Sequence, residues 1–579
     1  MDPTISFTSN PPYRPFTDAA VEDRGAWFRL QPNVTATDKD GSILYEQRDF
    51  TLLCTIVSYN DTRALREYLA NGSWAVPRAP DIPSELIGDT LRGDYFHNAA
   101  ADGCLGTLQM LLARGIKENI QSPARIRFKH RGYELLHVAV KWGHIDVAQF
   151  LLQNQPLYAD IHERDPKGRT PILVAADFYA TKFLAGEGGD PARNERVVNL
   201  LLDYGACATD VIPSTYEDKP AETVLTLAAR WAGPELIKRL TGQGADVHTK
   251  VEKAEWRLDF WNNHEITEVD ALFIACTCAN FDAVKTLIGI LQVTMQAEEI
   301  SHLQDSRGSL LIHWATQNDT AHRACYDWLL KERVPNITKI VDFLLSLNPT
   351  TVNAQDNEGN TPLHYATRAM GRHKGLFAPV FTFLCDRGAD ASIRNNKGQT
   401  PLHTLLKVEK DEIRRYTCFE SEFVLDTSAV LTLLAHGASA TDADNDGNTP
   451  LHFIAEILNY SNGLSLLLEH GADPTLQNEK GETAVHRAAR GSYLTMAWRI
   501  EAPERIVAQD EVIGMLVKVG GQELMDLMDA DGKSPRKVCE ETREAWREHD
   551  IPAWKRQQNR FGRIPRGGAS RGGRGGRGG

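Results

Sequence analysis

Polar turns, short apolar blocks and Leu-rich stripes follow one another at a regular beat along most of this chain. The polar turn Asp356-Asn357-Glu358-Gly359-Asn360 leads into Thr361-Pro362-Leu363-His364. The same opening returns as Thr400-Pro401-Leu402-His403 and Thr449-Pro450-Leu451-His452, and in altered form as Thr483-Ala484-Val485-His486. Thr accepts a backbone N–H at a helix N-cap, and Pro at the next position brings a preset φ where its missing donor costs nothing, so a helix is predicted to start at each. Further on, Gly463-Leu464-Ser465-Leu466-Leu467-Leu468-Glu469-His470-Gly471-Ala472-Asp473 reads as a second helix with an apolar stripe, stopped by a Gly suited to the left-handed C′ position. One polar turn and two short helices make a unit, and the unit repeats.

The Thr-Pro-Leu-His opening, followed by Ala or another apolar residue, resembles the signature of the ankyrin repeat. The resemblance implies an all-α solenoid of stacked helix-turn-helix units with hairpin loops, and gives the His a structural role, bridging the Thr hydroxyl and the backbone of neighbouring turns. With the His as a ruler, equivalent positions fall at Cys54, His97, His137, Leu173, Thr226, Phe273, His313, His364, His403, His452, His486 and Lys537, about twelve in all. Leu136-His137-Val138-Ala139 continues in the family manner through Gly143-His144 to Phe150-Leu151-Leu152, whereas the units at Cys54, Phe273, His313 and Lys537 depart most. The expected organisation is an N-terminal extension or cap over 1–48, a repeat array over 49–550 and a disordered tail over 551–579. The clearest repeats lie at 133–155, 353–390, 394–440, 443–475 and 477–521.

Spacing along the ruler separates two kinds of enlargement. From the His position to the closing Gly there are 18 residues at Cys54, His97 and Thr226 and 19 at His452, but 32 at Leu173, 24 at His364, 34 at His403 and at His486, and 35 at His313 if Asn348 replaces the Gly. These insertions sit between the two helices of a unit, so a stack in register would bring them out along one edge, where they can build a shared surface. The segment Lys407 to Thr427, with Arg414, Arg415, Tyr416 and Phe419 among acids, has the composition of an interface element; the bland alternative is a tolerated loop. Trp328 beside Leu329 and Leu330 could equally begin an inserted helix. From the closing Gly to the next ruler position the count is 15 after Gly388, Gly437 and Gly471, but 25 after Gly72 and 29 after Gly244, so enlarged hairpins are expected in the N-terminal half.

Charge divides the chain again. Its net −13 over 579 residues includes a segment, 555–579, with Lys555, seven Arg and no acid. Removing those eight from 64 bases leaves 56 against 77 acids, a body of −21 that repels nucleic acid while its tail attracts it. The tail repeats Arg-Gly-Gly at Arg566, Arg571, Arg574 and Arg577 with Phe561 upstream, and resembles an RGG box; Gly prevents a packed structure while guanidinium groups contact phosphates and stack on bases. RNA is the ligand this implies, with acidic protein as the alternative.

Catalysis has no foothold: there is no Gly-rich phosphate loop and no His-Glu-x-x-His. Cys276 and Cys278 read as small residues in tight helix packing, and Asp444 and Asp446 as hairpin-turn residues, since Ala455 stands where a calcium loop needs its Glu. Nine scattered Cys, a start without a basic and apolar leader, and no long apolar run point to an intracellular protein, cytoplasmic or nuclear, without a membrane segment. No catalytic residue, cofactor, metal or small-molecule substrate is expected. The expected function is a non-enzymatic scaffold or adaptor that binds one or more proteins through hairpin tips and first helices. Candidate contacts are Asn357, Glu358, Asn396, Lys397, Asn445, Asp446, Glu479 and Lys480. An RNA-associated adaptor acting through Phe561 and the tail arginines is the alternative. A ubiquitin-ligase adaptor is a third, because Asp81-Ile82-Pro83-Ser84-Glu85-Leu86-Ile87 faintly resembles the opening of an F-box.

Overall fold

The computed structural model describes residues 6–10, 33–37, 40, 43–70, 95–118, 129–130, 133–177, 191–213, 220–254, 266–317, 327–370, 378–407, 425, 427–492 and 501–550. These fall into two compact units, one ending at Ser306 and the other beginning at Arg307. The tail from 551 with Phe561 and its arginines, the F-box-like stretch at 81–92 and the charged insertion at 408–424 lie outside the described residues.

The first unit opens with an antiparallel sheet of β1 (Ser6–Asn10), β2 (Asn33–Thr37) and β3 (Ile43–Arg48), in that order. Helix pairs follow: α1 (Asp49–Ser58) with α2 (Thr62–Ala70), α3 (Tyr95–Asp102) with α4 (Leu105–Glu118), α5 (Leu135–Lys141) with α6 (Ile145–Gln153), and α7 (Pro171–Ala176) with α8 (Pro191–Asp203). Then come α9 (Val224–Ala228) with α10 (Pro234–Gly242), α11 (Ala271–Thr277) with α12 (Phe281–Leu291), and the short α13 (Ala297–Ser301). Three enlarged hairpins carry two-stranded antiparallel ribbons: β4 (Lys129–His130) with β5 (Tyr133–Glu134), β6 (Val211–Pro213) with β7 (Pro220–Thr223), and β8 (Val251–Ala254) with β9 (Ile266–Val269). β5, β7 and β9 each run into, or stop one residue short of, the next first helix.

The second unit pairs α14 (Leu311–Thr316) with α15 (Asp327–Leu347), α16 (Pro362–Met370) with α17 (Ala378–Asp386), and α18 (Pro401–Leu406) with α19 (Thr427–Ala435). It continues with α20 (Pro450–Ala455) and α21 (Ser461–Glu469), α22 (Ala484–Ala489) and α23 (Ala502–Gly520), and ends on α24 (Pro535–Asp550), which stands in the first-helix place with Lys537 on it. Every other ruler position also lies on a first helix. Trp328 to Leu330 belong to α15.

Within each unit first helices pack on first helices and second on second, so both layers stay in register. The first helices are short and buried nearly all round: every residue of α7, Pro-Ile-Leu-Val-Ala-Ala, is buried. A helix that short leaves most of its terminal carbonyls without an intrahelical partner. Side chains from a neighbouring element supply the missing donors. His144 Nε2 lies 2.8 Å from Ala101 O, Trp231 Nε1 donates to Ala176 O at 2.8 Å, Asn280 Nδ2 to Ala229 O at 3.1 Å and Gln509 Nε2 to Ala489 O at 2.7 Å.

The closing glycines behave as expected at Gly205, Gly244, Gly388, Gly437 and Gly471, all with positive φ. Three positions need correction. Gly115, 18 residues after His97, lies inside α4 and does not close it, since that helix runs on to Glu118. In α23 the left-handed residue is Gly521, at φ +96, one place beyond Gly520, which remains helical. Asn348 does not substitute for a closing Gly: its φ is −154, and its side chain caps a 3-10 turn over Pro349–Asn353 by accepting from Thr350 N at 3.0 Å.

Candidate functional site

In the second unit the hairpins are built alike. Oδ1 of Asp356, Asn395, Asp444, Asn478 and Asp529 accepts the backbone N–H two and four residues on, at 2.7 to 3.1 Å. Gly359, Gly398, Gly447, Gly481 and Gly532 then take positive φ, so two residues are left at each tip. This use of Asp444 makes it a turn residue, as read from the sequence.

Behind each tip the Thr stands at the N-cap, and the His three residues on takes the part a Glu or Gln plays in a capping box. Thr361, Thr400, Thr449 and Thr483 donate their backbone N–H to Nδ1 of His364, His403, His452 and His486 at 3.0 to 3.2 Å. Their hydroxyls lie 2.8 to 3.0 Å from the same nitrogens. An Nδ1 that accepts leaves the proton on Nε2, which reaches the next hairpin: Gln399 O at 2.9 Å from His364, Asn448 O at 3.2 Å from His403, Glu482 O at 3.0 Å from His452 and Lys533 O at 3.3 Å from His486. Burial holds His364 and His452 down at about 4, from an ordinary 6.5. The imidazoles are neutral joints between repeats. Among the described residues no group of three or more potential metal ligands occurs. Cys276 is fully buried, and burial pushes its thiol far up.

The eight tip residues singled out from the sequence divide into two kinds. Backbone N–H groups of Asn357, Asn396, Asn445 and Glu479 donate to the carbonyl of Arg307, Glu358, Lys397 and Asp446 on the preceding tip at 2.8 to 2.9 Å. The amides of Asn396 and Asn445 add a bond to Asn357 O and Asn396 O, each 2.9 Å. These first tip residues are rungs of a ladder. Lys397, Asp446 and Lys480 point into solvent, while Glu358 is half-buried.

Eight-residue straps across the first helices escaped the sequence reading. Residues four before and four after the ruler position pair as Arg169 with Asp177 at 3.4 Å, Glu222 with Arg230, and Glu482 with Arg490. Sideways contacts run from Arg230 to Asp177 at 3.8 Å and from Arg487 to Glu482 at 3.0 Å and Glu456 at 3.5 Å. The signal was the opposite charge at plus and minus four, visible once the ruler is laid down. Among the described residues no helix is long and apolar enough to cross a membrane.

The family model for ankyrin repeats, three copies long, matches residues 96–194, 377–478 and 421–500. A putative ankyrin repeat protein of Acanthamoeba polyphaga mimivirus is 28% identical over 169 residues, covering 27% of this chain and 28% of the relative. The human transient receptor potential cation channel subfamily A member 1 is 28% identical over 138 residues, or 24% of this chain and 10% of the channel. A Caenorhabditis elegans intracellular phospholipase A2 is 27% identical over 159 residues, covering 13% of its length. The chain thus spans little more than a quarter of these relatives at most. The ankyrin repeat domain of Bcl-3 aligns with 46% of this chain at 21% identity and a TM-score of 0.30. The chain carries ankyrin repeats in both of its units.

Proposed function

We propose that the chain is a non-enzymatic scaffold or adaptor that binds protein through its hairpin tips and first-helix surface, with the insertions between helices adding an edge. Ankyrin repeats mediate protein–protein interaction, and the observation that carries the reading here is the tip ladder. Hydrogen bonds fix the tip backbones while the side chains of Lys397, Asp446 and Lys480 stay outside. A contact surface already ordered spares a partner the cost of ordering it. We count twelve repeats, one for each ruler position, with 1–48 as an N-terminal cap, and place the protein inside the cell.

A pull-down with the intact chain tests the reading against one in which Glu358, Lys397, Asp446, Glu479 and Lys480 are all changed to Ser. At least one protein should be depleted by the change. If every partner is recovered equally from both, the tips are not the contact surface.

A second reading gives the tail RNA as its ligand, favoured by four Arg-Gly-Gly units without an acid. Crosslinking in cells should recover RNA from the full chain and much less from a chain ending at Ala553. Equal recovery removes the tail's role.

A further inference from the structure

The second tip residue of every hairpin in the second unit is charged, and its sign alternates along the stack: Arg307, Glu358, Lys397, Asp446, Lys480, Asp531. Each directly precedes the positive-φ Gly of its turn, so all six occupy one structural place. Each of the first five also accepts, at its backbone carbonyl, the N–H that starts the next tip: Asn357, Asn396, Asn445, Glu479 and Ala530, at 2.8 to 2.9 Å. One hydrogen bond per step sets the six in a line. Lys397, Asp446, Lys480 and Asp531 are exposed, and among the described residues their side chains make no hydrogen bond or ion pair, while their backbone N–H groups are engaged in the turn. Arg307 and Glu358 are half-buried and extend the line.

The step along the line is the separation of first helices packed side by side, about 8–10 Å. A polyproline II segment has three residues per turn and rises about 3.1 Å per residue, so every third side chain returns to one face after about 9 Å. A β-strand does not fit, because residues three apart point to opposite faces. An α-helix returns to one face after seven residues and about 10.5 Å, longer than the step, and the error grows at each tip.

We propose that this line docks a polyproline II segment whose charges alternate in sign at every third residue, each opposite to the tip it meets. The proposal rests on the hairpin-tip reading above and adds the chemistry of the partner. Single exposed ion pairs are weak, so discrimination must come from several engaged in register.

The test uses the full chain and three peptides of one composition, titrated at low salt. One repeats Glu-Pro-Pro-Lys-Pro-Pro, one places the charges at every second residue, and one gathers them into a Glu block and a Lys block. The first should bind about tenfold more tightly than the others, a difference of about 1.4 kcal/mol. Exchanging two tips, Lys397→Glu with Asp446→Lys, keeps the net charge and should weaken it about as much; a peptide with its matching pair of charges exchanged should restore binding. Equal affinity for the three peptides, no saturable binding of the first, or indifference to the exchange would overturn the proposal. Each of those outcomes leaves the broader reading standing, since that one falls on the pull-down.

Discussion

Two glycine substitutions separate the closeness of the tips from the cost of a left-handed backbone. Gly471 has φ +86, and a Cβ added there meets nothing within 4 Å. Gly398 has φ +71, and the same Cβ would stand 2.7 Å from Asn445 N on the next tip. Gly471→Ala should therefore cost only the conformational penalty of an L residue in that region, about 1–2 kcal/mol. Gly398→Ala should cost this and also push the tips apart, losing the bond from Asn445 N to Lys397 O, 2.9 Å in the native turn, and with it about 1 kcal/mol more. Native-state hydrogen exchange reads both effects residue by residue. The amide of Asn445 should lose protection in Gly398→Ala and keep it in Gly471→Ala. Equal protection of Asn445 in the two variants would refute the idea that backbone contact between tips contributes to the stack.

Lowering the pH from 7 to 5 should destabilise the second unit. His364 and His452 take up protons in the unfolded chain as pH falls below 6.5, but in the fold only near 4, so stability is complete above 6.5 and drains away towards 4. The difference between pH 7 and pH 5 is roughly 2 kcal/mol for each, and His452→Gln should remove about half of the pair's contribution in urea titrations at the two pH values. Gly463→Val should destabilise by about 1–3 kcal/mol, because a Cβ on this second helix would press within 2.7 Å of Ile454 Cδ1 and against Leu425 as well. A melting temperature unchanged by that substitution would contradict the packing described between α20 and α21.

The hairpin and first helix were legible because their reasons are local. An Asp or Asn that folds back on its own N–H groups, a Gly that must turn left-handed and a Thr-Pro start each act within five residues. The His joints were legible through the family resemblance, and the geometry supplies their physics: Nδ1 caps its own helix while Nε2 holds the next hairpin. Of the ribbons, that of β8 and β9 was foreshadowed, and only as surplus length between Gly244 and Phe273, since pairing partners such as Val251 and Val269 lie 18 residues apart and obey no short-range pattern. The straps Glu222 to Arg230 and Glu482 to Arg490 were hidden for another reason: a charge on a helix surface looks the same whether solvated or paired. Which tip backbones form rungs depends on the backbone of the neighbouring repeat, so the ladder through Asn357, Asn396 and Asn445 was not legible from one repeat at a time.

The most direct test of protein binding by the tips places a photocrosslinking residue at Lys397 and, in a second chain, at Val507 on the second-helix side, where the side chain is also exposed. Irradiation in cells should give a discrete covalent adduct with a partner protein from position 397 and none from position 507. Adducts of the same partner from both, or from 507 alone, would contradict a contact surface built on the hairpin tips.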